Sequence, residues 1–149
     1  MPYAIRHLAV GDVPVLKRLL RAFGEAFGEP DTYQDAIPSD GYLRTLLDKP
    51  TFVALAALDG AEVVGGLVAY VLEKFERERS EVYIYDLAVA EAHRRRGIAR
   101  RLIEALKPIA RARGASVIFV QADRGDAAAI ALYESLGTRE DVHHFDITV

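Results

Sequence analysis

The stretch EAHRRRGIARRLIEAL, Glu91–Leu106, decides how the rest of the chain is interpreted. Three consecutive arginines, Arg94–Arg96, are followed by Gly97, and an apolar helical pattern begins at Ile98. The N-terminus of a helix is already electropositive, so arginines at that end are unfavourable unless an anion binds there. Free N–H groups in a first helical turn, beside a glycine that lets an anion approach closely, form such a site. The stretch therefore predicts a phosphate-binding turn.

Two alternatives stay open on these residues alone. A basic cluster is also typical of a solvated surface or of an arm that binds nucleic acid. The stretch has neither the G-x-x-x-x-G-K-[ST] pattern of a P-loop nor the G-x-G-x-x-G pattern of a dinucleotide site. Its charge is local, because residues 91–113 hold eight basic and two acidic side chains, a net charge of +6. The remaining 11 basic and 20 acidic residues give −9, so we expect a cationic site in an anionic body and no nucleic-acid partner.

Length and composition predict one domain over residues 1–149. The chain is 51% hydrophobic and 28% charged, an ordinary globular balance, with a net charge of −3. No apolar run reaches the roughly 18 residues of a membrane span, and the N-terminus lacks the pattern of a secretory signal. With no cysteine in the chain, thiolate nucleophiles and zinc-thiolate sites are excluded. We expect a cytoplasmic protein with no metal and no membrane contact; a homodimer stays open.

The patterning predicts an α/β fold with a mixed, mostly antiparallel sheet flanked by helices, in the order β-α-α-β-β-β-α-β-α-β. Asp12 is placed to cap the first helix, and Asp59-Gly60 between two apolar runs indicates a hairpin. Asp126 is placed to cap a short helix that ends at Gly137. The predicted strands outside the hairpin are YAIRHL, SEVYIYDLAV, SVIFVQA and a final VHHFDITV.

Two motifs make the chain resemble the GNAT superfamily of N-acetyltransferases. The segment LAVAEAHRRRGIARRLI matches the acetyl-CoA signature [R/Q]-x-x-G-x-[G/A] at Arg94, Gly97 and Ala99. The segment AIALYESLG matches the companion motif, which places a tyrosine, here Tyr133, in the short helix after the next strand. The two motifs occur in the order and at the spacing of that superfamily.

The likeness extends to the type I aminoglycoside 3-N-acetyltransferases over nearly the whole chain. It rests on the segments FGEAFGEPDTY, TFVALAALDG, RSEVYIYDLAV and VHHFDI. The chain departs from that pattern at Arg124, where an aromatic is expected, and at Ala127 and Ala128, where an acid and a proline are expected. The resemblance implies acetyl transfer from acetyl-CoA to the 3-amino group of an aminoglycoside, with antibiotic resistance as its consequence. Another acceptor, such as a polyamine or peptide, and a non-catalytic CoA-binding module stay open.

The resemblance also implies which residues bind acetyl-CoA. Leu87, Ala88 and Val89 would bind the pantetheine arm through their backbone groups. Their apolar side chains are equally consistent with residues that only belong to the hydrophobic core. The pyrophosphate would be bound mainly by backbone N–H groups, and Arg101 is expected at the surface. The complete set assigned to the pyrophosphate turn is Arg94, Arg95, Arg96, Gly97, Ile98, Ala99 and Arg100, and Asp126 is added to the cofactor-binding residues.

Asp86 and Tyr133 are the candidate catalytic residues. An ionised carboxylate in the apolar strand YIYDLAV is costly, and a carboxylate there can take the proton that an acceptor ammonium must lose. A structural carboxylate paired with an arginine or a backbone N–H is the alternative. Tyr133 would protonate the departing CoA thiolate, and a core aromatic is the alternative there. His143 and His144 rank behind Asp86 as bases, because adjacent strand residues face opposite sides.

Acidic residues and one tyrosine form the predicted acceptor site. Single surface acids usually only solubilise a protein, but together, beside the expected cleft, they suit a polycation such as an aminoglycoside or polyamine. The predicted acceptor-binding set is Glu29, Asp31, Tyr85, Asp86, Asp123, Glu140 and Asp141. With no cysteine and no G-x-S-x-G elbow, the acetyl group would pass directly between two bound substrates.

Overall fold

The computed structural model describes residues 2–29 and 31–149, apart from the side chains of Gln34 and Asp35. The chain divides into two compact units, Met1–Phe119 and Val120–Val149, and each is described on its own. Within the described ranges no helix combines the length and the apolar character needed to cross a bilayer.

The first unit carries the sheet. Its strands and helices are β1 (Tyr3–His7), α1 (Val13–Phe27), α2 (Asp40–Asp48), β2 (Phe52–Asp59), β3 (Glu62–Glu73), β4 (Ser80–Val89), α3 (Ile98–Ala112) and β5 (Ala115–Val120), with a π-helical turn at Asp31–Asp35. The five strands are ordered β1-β2-β3-β4-β5. The α/β fold and the element order are therefore confirmed as far as the helix after β5.

β1 to β4 form an antiparallel meander, whereas β5 runs parallel to β4. The N–H of Ser80 donates to the carbonyl of Gly114 at 2.9 Å, and farther along both strands the rings of Tyr83 and Phe119 stack at 4.7 Å. The two positions advance together, so the directions agree. Because β5 has six residues and β4 has ten, the segment 86–89 of β4 extends past the end of β5.

Each face of the sheet is covered by helix. Leu16, Leu19 and Phe23 of α1 pack with Phe52, Ala54, Ala56 and Val68 in one buried cluster. Side chains alternate along a strand, so the buried residues between these positions face the other side. That side is covered by α3, whose buried residues are Ile98, Leu102, Ile103, Leu106 and Ala110. The helical spacing of apolar residues in both helices produces these two faces.

A β-bulge lies in β4 at the level of Asp86. Val68 pairs with Asp86 and Ala69 pairs with Ile84, so Tyr85 is an extra residue with no partner on β3. A bulge re-aims the side chains that follow it. Cross-strand partners share a face, so Asp86 joins Val68 on the α1 side, whereas unbroken alternation would have grouped Asp86 with Ile84.

The paired segment beyond the bulge requires a glycine. Gly65 lies opposite Val89, and a Cβ at Gly65 would come within 2.7 Å of the carbonyl oxygen of Ala88 and 3.2 Å of the Cα of Val89. A side chain at this position would therefore clash with the backbone of β4.

Two local predictions about caps have different outcomes. Asp12 occupies the N-cap position of α1 but makes no capping bond, because its carboxylate accepts from the N–H of Ala9 at 2.8 Å and pairs with Arg6. In the second unit, α4 (Ala127–Leu136) is capped as predicted, with Asp126 Oδ1 accepting from Ala129 N at 3.1 Å and Gly137 at the C-cap.

The predicted final strand VHHFDITV is wrong for this structure. Residues 138–149 have no regular secondary structure and are exposed. Phe145, Ile147 and Val149 do alternate with polar residues, but a strand also needs a neighbouring strand to bond its backbone, and none pairs with this segment. The argument that His143 and His144 face opposite sides therefore no longer applies; both side chains are exposed.

Candidate active site

The turn before α3 has the backbone geometry of an anion site. Arg95 has a φ of 62°, the only positive φ among the described non-glycine residues, and Gly97 has a φ of 76° at the N-cap of α3. Successive N–H groups converge when left-handed residues alternate with ordinary ones, which forms a concave nest for an anion. A Cβ at Gly97 would meet nothing within 4 Å, so the surface there is open. Left-handed non-glycine residues are strained and cluster at functional sites.

Two arginine side chains of this turn form hydrogen bonds with other parts of the chain. Arg94 Nε donates to the carbonyl of Val89 at 3.1 Å, and Arg96 Nη1 donates to the hydroxyl of Tyr3 at 2.8 Å. The Tyr3 hydroxyl also bonds His93 Nδ1 at 2.8 Å. These contacts attach the turn to β1 and to the end of β4.

The expectation that Arg101 lies at the surface is wrong. Arg101 is half-buried, its Nη2 donates to the carbonyl of Tyr3 at 3.1 Å, and its Nη1 is buried without a partner in the described structure. Sequence reasoning placed it on the polar face of α3, but that part of the face lies against β1. Arg101 therefore anchors the helix rather than forming part of an exposed basic surface.

The end of β4 carries the three residues expected at the pantetheine arm. Leu87, Ala88 and Val89 pair with β3 on one side and are half-buried. On the other side they lie beyond the end of β5, so backbone groups directed there have no strand to bond. The bond from Arg94 to the Val89 carbonyl occupies part of that edge.

Asp86 precedes this strand end and is bonded to Tyr33. The Tyr33 hydroxyl lies 3.3 Å from Asp86 Oδ1 and 3.4 Å from Oδ2. Burial raises the pKa of the Asp86 carboxyl; the Tyr33 bond opposes that shift, and the negative charge of Glu29 adds to it. The pKa of Tyr33 rises to about 12, first through burial and then through the charge of Asp86. The partner of Asp86 is thus a tyrosine hydroxyl rather than the arginine or backbone N–H of the structural alternative.

Tyrosine rings line the surroundings of Asp86. Tyr85 packs edge-on against both Tyr70 and Tyr83, at centroid distances of 5.8 and 5.7 Å, and its side chain is 62% exposed. The pKa values of Tyr70 and Tyr83 are raised, mainly by burial, with the charge of Asp86 contributing to both. An accessible aromatic surface beside a carboxylate can bind a cation through both charge and ring faces.

The structure brings together part of the predicted acceptor set. Glu29 acts electrostatically on both Asp86 and Tyr33, and Tyr85 adjoins Asp86 in sequence. Asp31 is exposed and opens the π-helical turn that carries Tyr33. These residues form one acidic, tyrosine-lined surface in the first unit.

The other predicted residues belong to the second unit. Tyr133 is half-buried in α4, and burial, followed by the charge of Asp126, raises its pKa. The Asp123 carbonyl accepts from Asp126 N at 3.0 Å, and Asp141 pairs with Arg139 at 3.0 Å. Glu140 is exposed. A tyrosine hydroxyl is protonated at neutral pH, as a proton donor requires, and the raised pKa does not change this.

One cluster in the described ranges has the geometry for a metal ion. Ligand atoms of Asp59, Glu62 and His93 lie within 4.8 Å of one another at the β2–β3 hairpin. Glu62 is exposed, and His93 already uses Nδ1 to bond Tyr3. Separately, an open cavity of about 490 Å³ is lined by the β3–β4 hairpin, including Phe75 and Arg79, and by none of the predicted site residues.

Sequence reasoning missed Tyr33 and the network around Tyr3. Tyr33 lay inside a segment that was used for the resemblance and for its acidic residues, and its acid-rich, glycine-flanked context gave no periodic signal. Its position after two phenylalanines at helical spacing, Phe23 and Phe27, is the one signal that could have linked it to α1.

The chain matches the model of the acetyltransferase (GNAT) family over residues 15–138. It is similar, at 56% identity and a TM-score of 0.98, to a crystal structure of the aminoglycoside acetyltransferase HMB0005 from an uncultured soil metagenomic sample; the match covers 100% of this chain and 99% of that one. Another crystal structure, of the aminoglycoside acetyltransferase meta-AAC0020 from such a sample in complex with sisomicin, is 36% identical with a TM-score of 0.89, covering 99% and 96%.

A curated relative points to a different acceptor. The [ribosomal protein bS18]-alanine N-acetyltransferase of Escherichia coli strain K12 is 38% identical over 60 residues, which is 40% of this chain and 40% of the relative. The matched part of the chain thus spans about two fifths of the length of such curated relatives. The family match, in contrast, covers most of the chain and includes both the turn before α3 and the α4 tyrosine. The chain therefore belongs to the acetyltransferase (GNAT) family.

Proposed function

We propose that this protein transfers the acetyl group of acetyl-CoA to an amine of an aminoglycoside, with the 3-amino group as the preferred position. The observation that carries the proposal is the half-buried Asp86 carboxylate, held by Tyr33 among tyrosines, on the strand that leads into the anion-binding turn. The similarity to aminoglycoside acetyltransferases over the full chain supports the acceptor class. Antibiotic resistance would follow from such an activity.

The first unit fits the binding of acetyl-CoA. The nest formed by Arg95 to Gly97 and the first turn of α3 would bind the pyrophosphate, with Ala99 keeping the approach open. The unpaired edge of Leu87, Ala88 and Val89 would bind the pantetheine arm through its backbone. In this proposal Arg94 and Arg100 contribute charge at the turn, and Asp126 orders the start of α4.

Two side chains, Asp86 and Tyr133, would carry out the proton transfers of the reaction. Asp86 accepts a proton from the acceptor ammonium, which frees the nitrogen lone pair to form a bond to the acetyl carbon. As the bond between that carbon and sulfur breaks, Tyr133 donates its proton to the departing thiolate. The nitrogen loses its second proton as the amide forms, and that proton returns to the Tyr133 phenolate through water. Positioning two bound substrates supplies much of the remaining rate enhancement.

Recognition of the acceptor would depend on negatively charged carboxylates and on an exposed tyrosine ring. Asp86, Glu29 and Asp31 supply carboxylates on one surface, and Tyr85 offers an exposed ring face. The binding of a polycationic sugar is favoured both by attraction to the carboxylates and by contact with the ring of Tyr85. Asp123, Glu140 and Asp141 of the second unit stay predictions for acceptor binding.

A peptide amine is the second candidate acceptor, because of the 38% identity to the ribosomal-protein alanine N-acetyltransferase. That match covers 60 residues, whereas the likeness to the aminoglycoside enzymes covers the full chain.

The test is the structure of the product. The protein is incubated with acetyl-CoA and sisomicin, and the product is analysed by NMR. We expect one acetyl group, on the 3-amino nitrogen. Acetylation at another amine would refute the 3-N assignment alone, and the absence of acetylated sisomicin would refute the aminoglycoside proposal.

A further inference from the structure

Tyr33 has no role in the chemistry described so far. Its ring packs against Phe23 and Phe27 of α1, at centroid distances of 6.2 and 5.7 Å, and its hydroxyl reaches both oxygens of Asp86. We propose that Tyr33 is a positioning residue that orients the Asp86 carboxylate and keeps it in the form that accepts a proton. This inference rests on the proposed function, in which Asp86 is the base.

The hydroxyl is the donor in this contact. Burial and the nearby carboxylate raise the pKa of Tyr33 to about 12, so the phenol keeps its proton throughout the working range of an acetyltransferase. One O–H lies at nearly equal distances from the two oxygens, so it restricts the direction in which the carboxylate faces. A carboxylate has about four lone-pair sites, which leaves sites free to accept from an ammonium.

The Asp86 carboxyl needs such a donor because its surroundings favour the protonated form. Burial and the charge of Glu29 both raise its pKa, while the Tyr33 bond acts in the opposite direction. Two further titratable groups that interact with Asp86 are the hydroxyls of Tyr70 and Tyr83, whose pKa values are raised, so both are neutral when the carboxyl titrates. A base that is already protonated cannot accept the ammonium proton, so Tyr33 extends activity toward lower pH.

The end of α1 and the π-helical turn place the Tyr33 phenol beside Asp86. α1 ends at Phe27 with Gly28 in the left-handed conformation, and the π-helical turn Asp31–Asp35 then carries Tyr33 back over the end of α1. π-helical turns occur frequently at functional sites. The two phenylalanines hold the ring whether or not it carries a hydroxyl, so Tyr33→Phe removes the bond and preserves the packing.

The test compares Tyr33→Phe with Tyr42→Phe. Tyr42 lies on α2, is 59% exposed, and interacts with Tyr70, whereas Asp86 itself has no interaction with Tyr42 among the described residues. The pKa of Asp86 is measured by carbon NMR of its carboxyl group without any acceptor, and kcat/KM is measured against pH. We expect Tyr33→Phe to raise the pKa of Asp86 and to move the acid limb of kcat/KM to higher pH. At pH 8 kcat should fall about fivefold, the effect of one hydrogen bond, with an unchanged KM for acetyl-CoA. Tyr42→Phe should change none of these.

An unchanged or lowered Asp86 pKa in Tyr33→Phe would overturn the inference, and so would an equal shift in Tyr42→Phe. A raised pKa with an unmoved acid limb would refute the link to catalysis. The NMR titration needs no acceptor, so it reports on the contact even if aminoglycosides prove inert. Inert aminoglycosides would instead refute the proposed function.

Discussion

The turn at Arg94–Ala99 and the surroundings of Asp86 follow each other on the chain, yet they are built by different means. The turn is made of backbone, from two left-handed residues and the first N–H groups of α3, with every part within a few residues. The Asp86 site is made of side chains, with Tyr33 contributed from 53 positions away. A backbone site tolerates changes of side chain, whereas a side-chain site depends on single atoms. The two should therefore respond differently to substitution.

Asp86→Asn should give the largest effect, and that effect should be confined to turnover of the acceptor and leave CoA binding unchanged. Removing a general base typically costs about 10²- to 10⁴-fold in rate, so we expect turnover with an aminoglycoside to drop by at least about 100-fold. Calorimetry should show unchanged CoA affinity. Asp48→Asn, which removes an exposed carboxylate on α2, serves as the control and should leave turnover unchanged. Equal losses of CoA affinity and turnover in Asp86→Asn would mean that the two sites are not separate.

Tyr133→Phe should have the next largest effect. The hydroxyl is used only as the thiolate departs, so turnover should fall about 10- to 100-fold while the KM for acetyl-CoA changes little. Steady-state kinetics, with single-turnover measurements to confirm that chemistry limits the rate, provide the test. Unchanged turnover under those conditions would make Tyr133 a core aromatic.

Gly97→Val should weaken the backbone site specifically. A β-branched residue is strained at a φ of 76° and would block close approach of a phosphate, so we expect about a tenfold loss of CoA affinity. Gly97→Asn is the matched control, because asparagine adopts the left-handed conformation more readily, and its loss should be smaller. Calorimetry on folded variants would contradict the assignment if Gly97→Val bound CoA as tightly as the parent protein.

The smallest effect should appear in stability. Burial raises the pKa of Asp86 in the folded state, so its ionised form opposes folding above that pKa, and this cost disappears as pH falls through the folded pKa toward the unfolded one. Asp86→Asn should therefore raise the melting temperature at pH 8, on the order of 1 to 2 °C, and the gain should shrink toward pH 4. Thermal unfolding across that range checks the sign; a lower melting temperature at pH 8 would contradict it.

The same contrast decides what the sequence could predict. The turn, its helix and the hairpin at Asp59-Gly60 depend on neighbours in sequence, and all were predicted with nearly correct bounds. Asp86 was singled out as a candidate because a charge in an apolar strand is costly. The bulge at Tyr85 was not predicted, since it depends on the pairing with β3, and it is what turns Asp86 toward α1.

Errors occurred where a distant partner decides the outcome. Arg101 has the spacing of a surface residue on α3, but it lies against β1, where its guanidinium donates to the carbonyl of Tyr3. Asp12 stands at a cap position, and Arg6 and the N–H of Ala9 bind its carboxylate instead. The alternation in VHHFDITV favours a strand, but no strand pairs with that segment in the structure. Periodicity indicates which face is apolar and does not indicate what will lie against it.

The most direct test of the central claim, that Asp86 and its tyrosines select a polycationic sugar, is a comparison of kcat/KM among acceptors. CoA release from acetyl-CoA is measured at pH 8 with sisomicin, spermidine and a peptide that begins with alanine. The proposed function predicts that sisomicin exceeds both other acceptors by about 100-fold or more, a difference of roughly 3 kcal/mol in transition-state binding. A peptide or spermidine that reacts faster than sisomicin would contradict it.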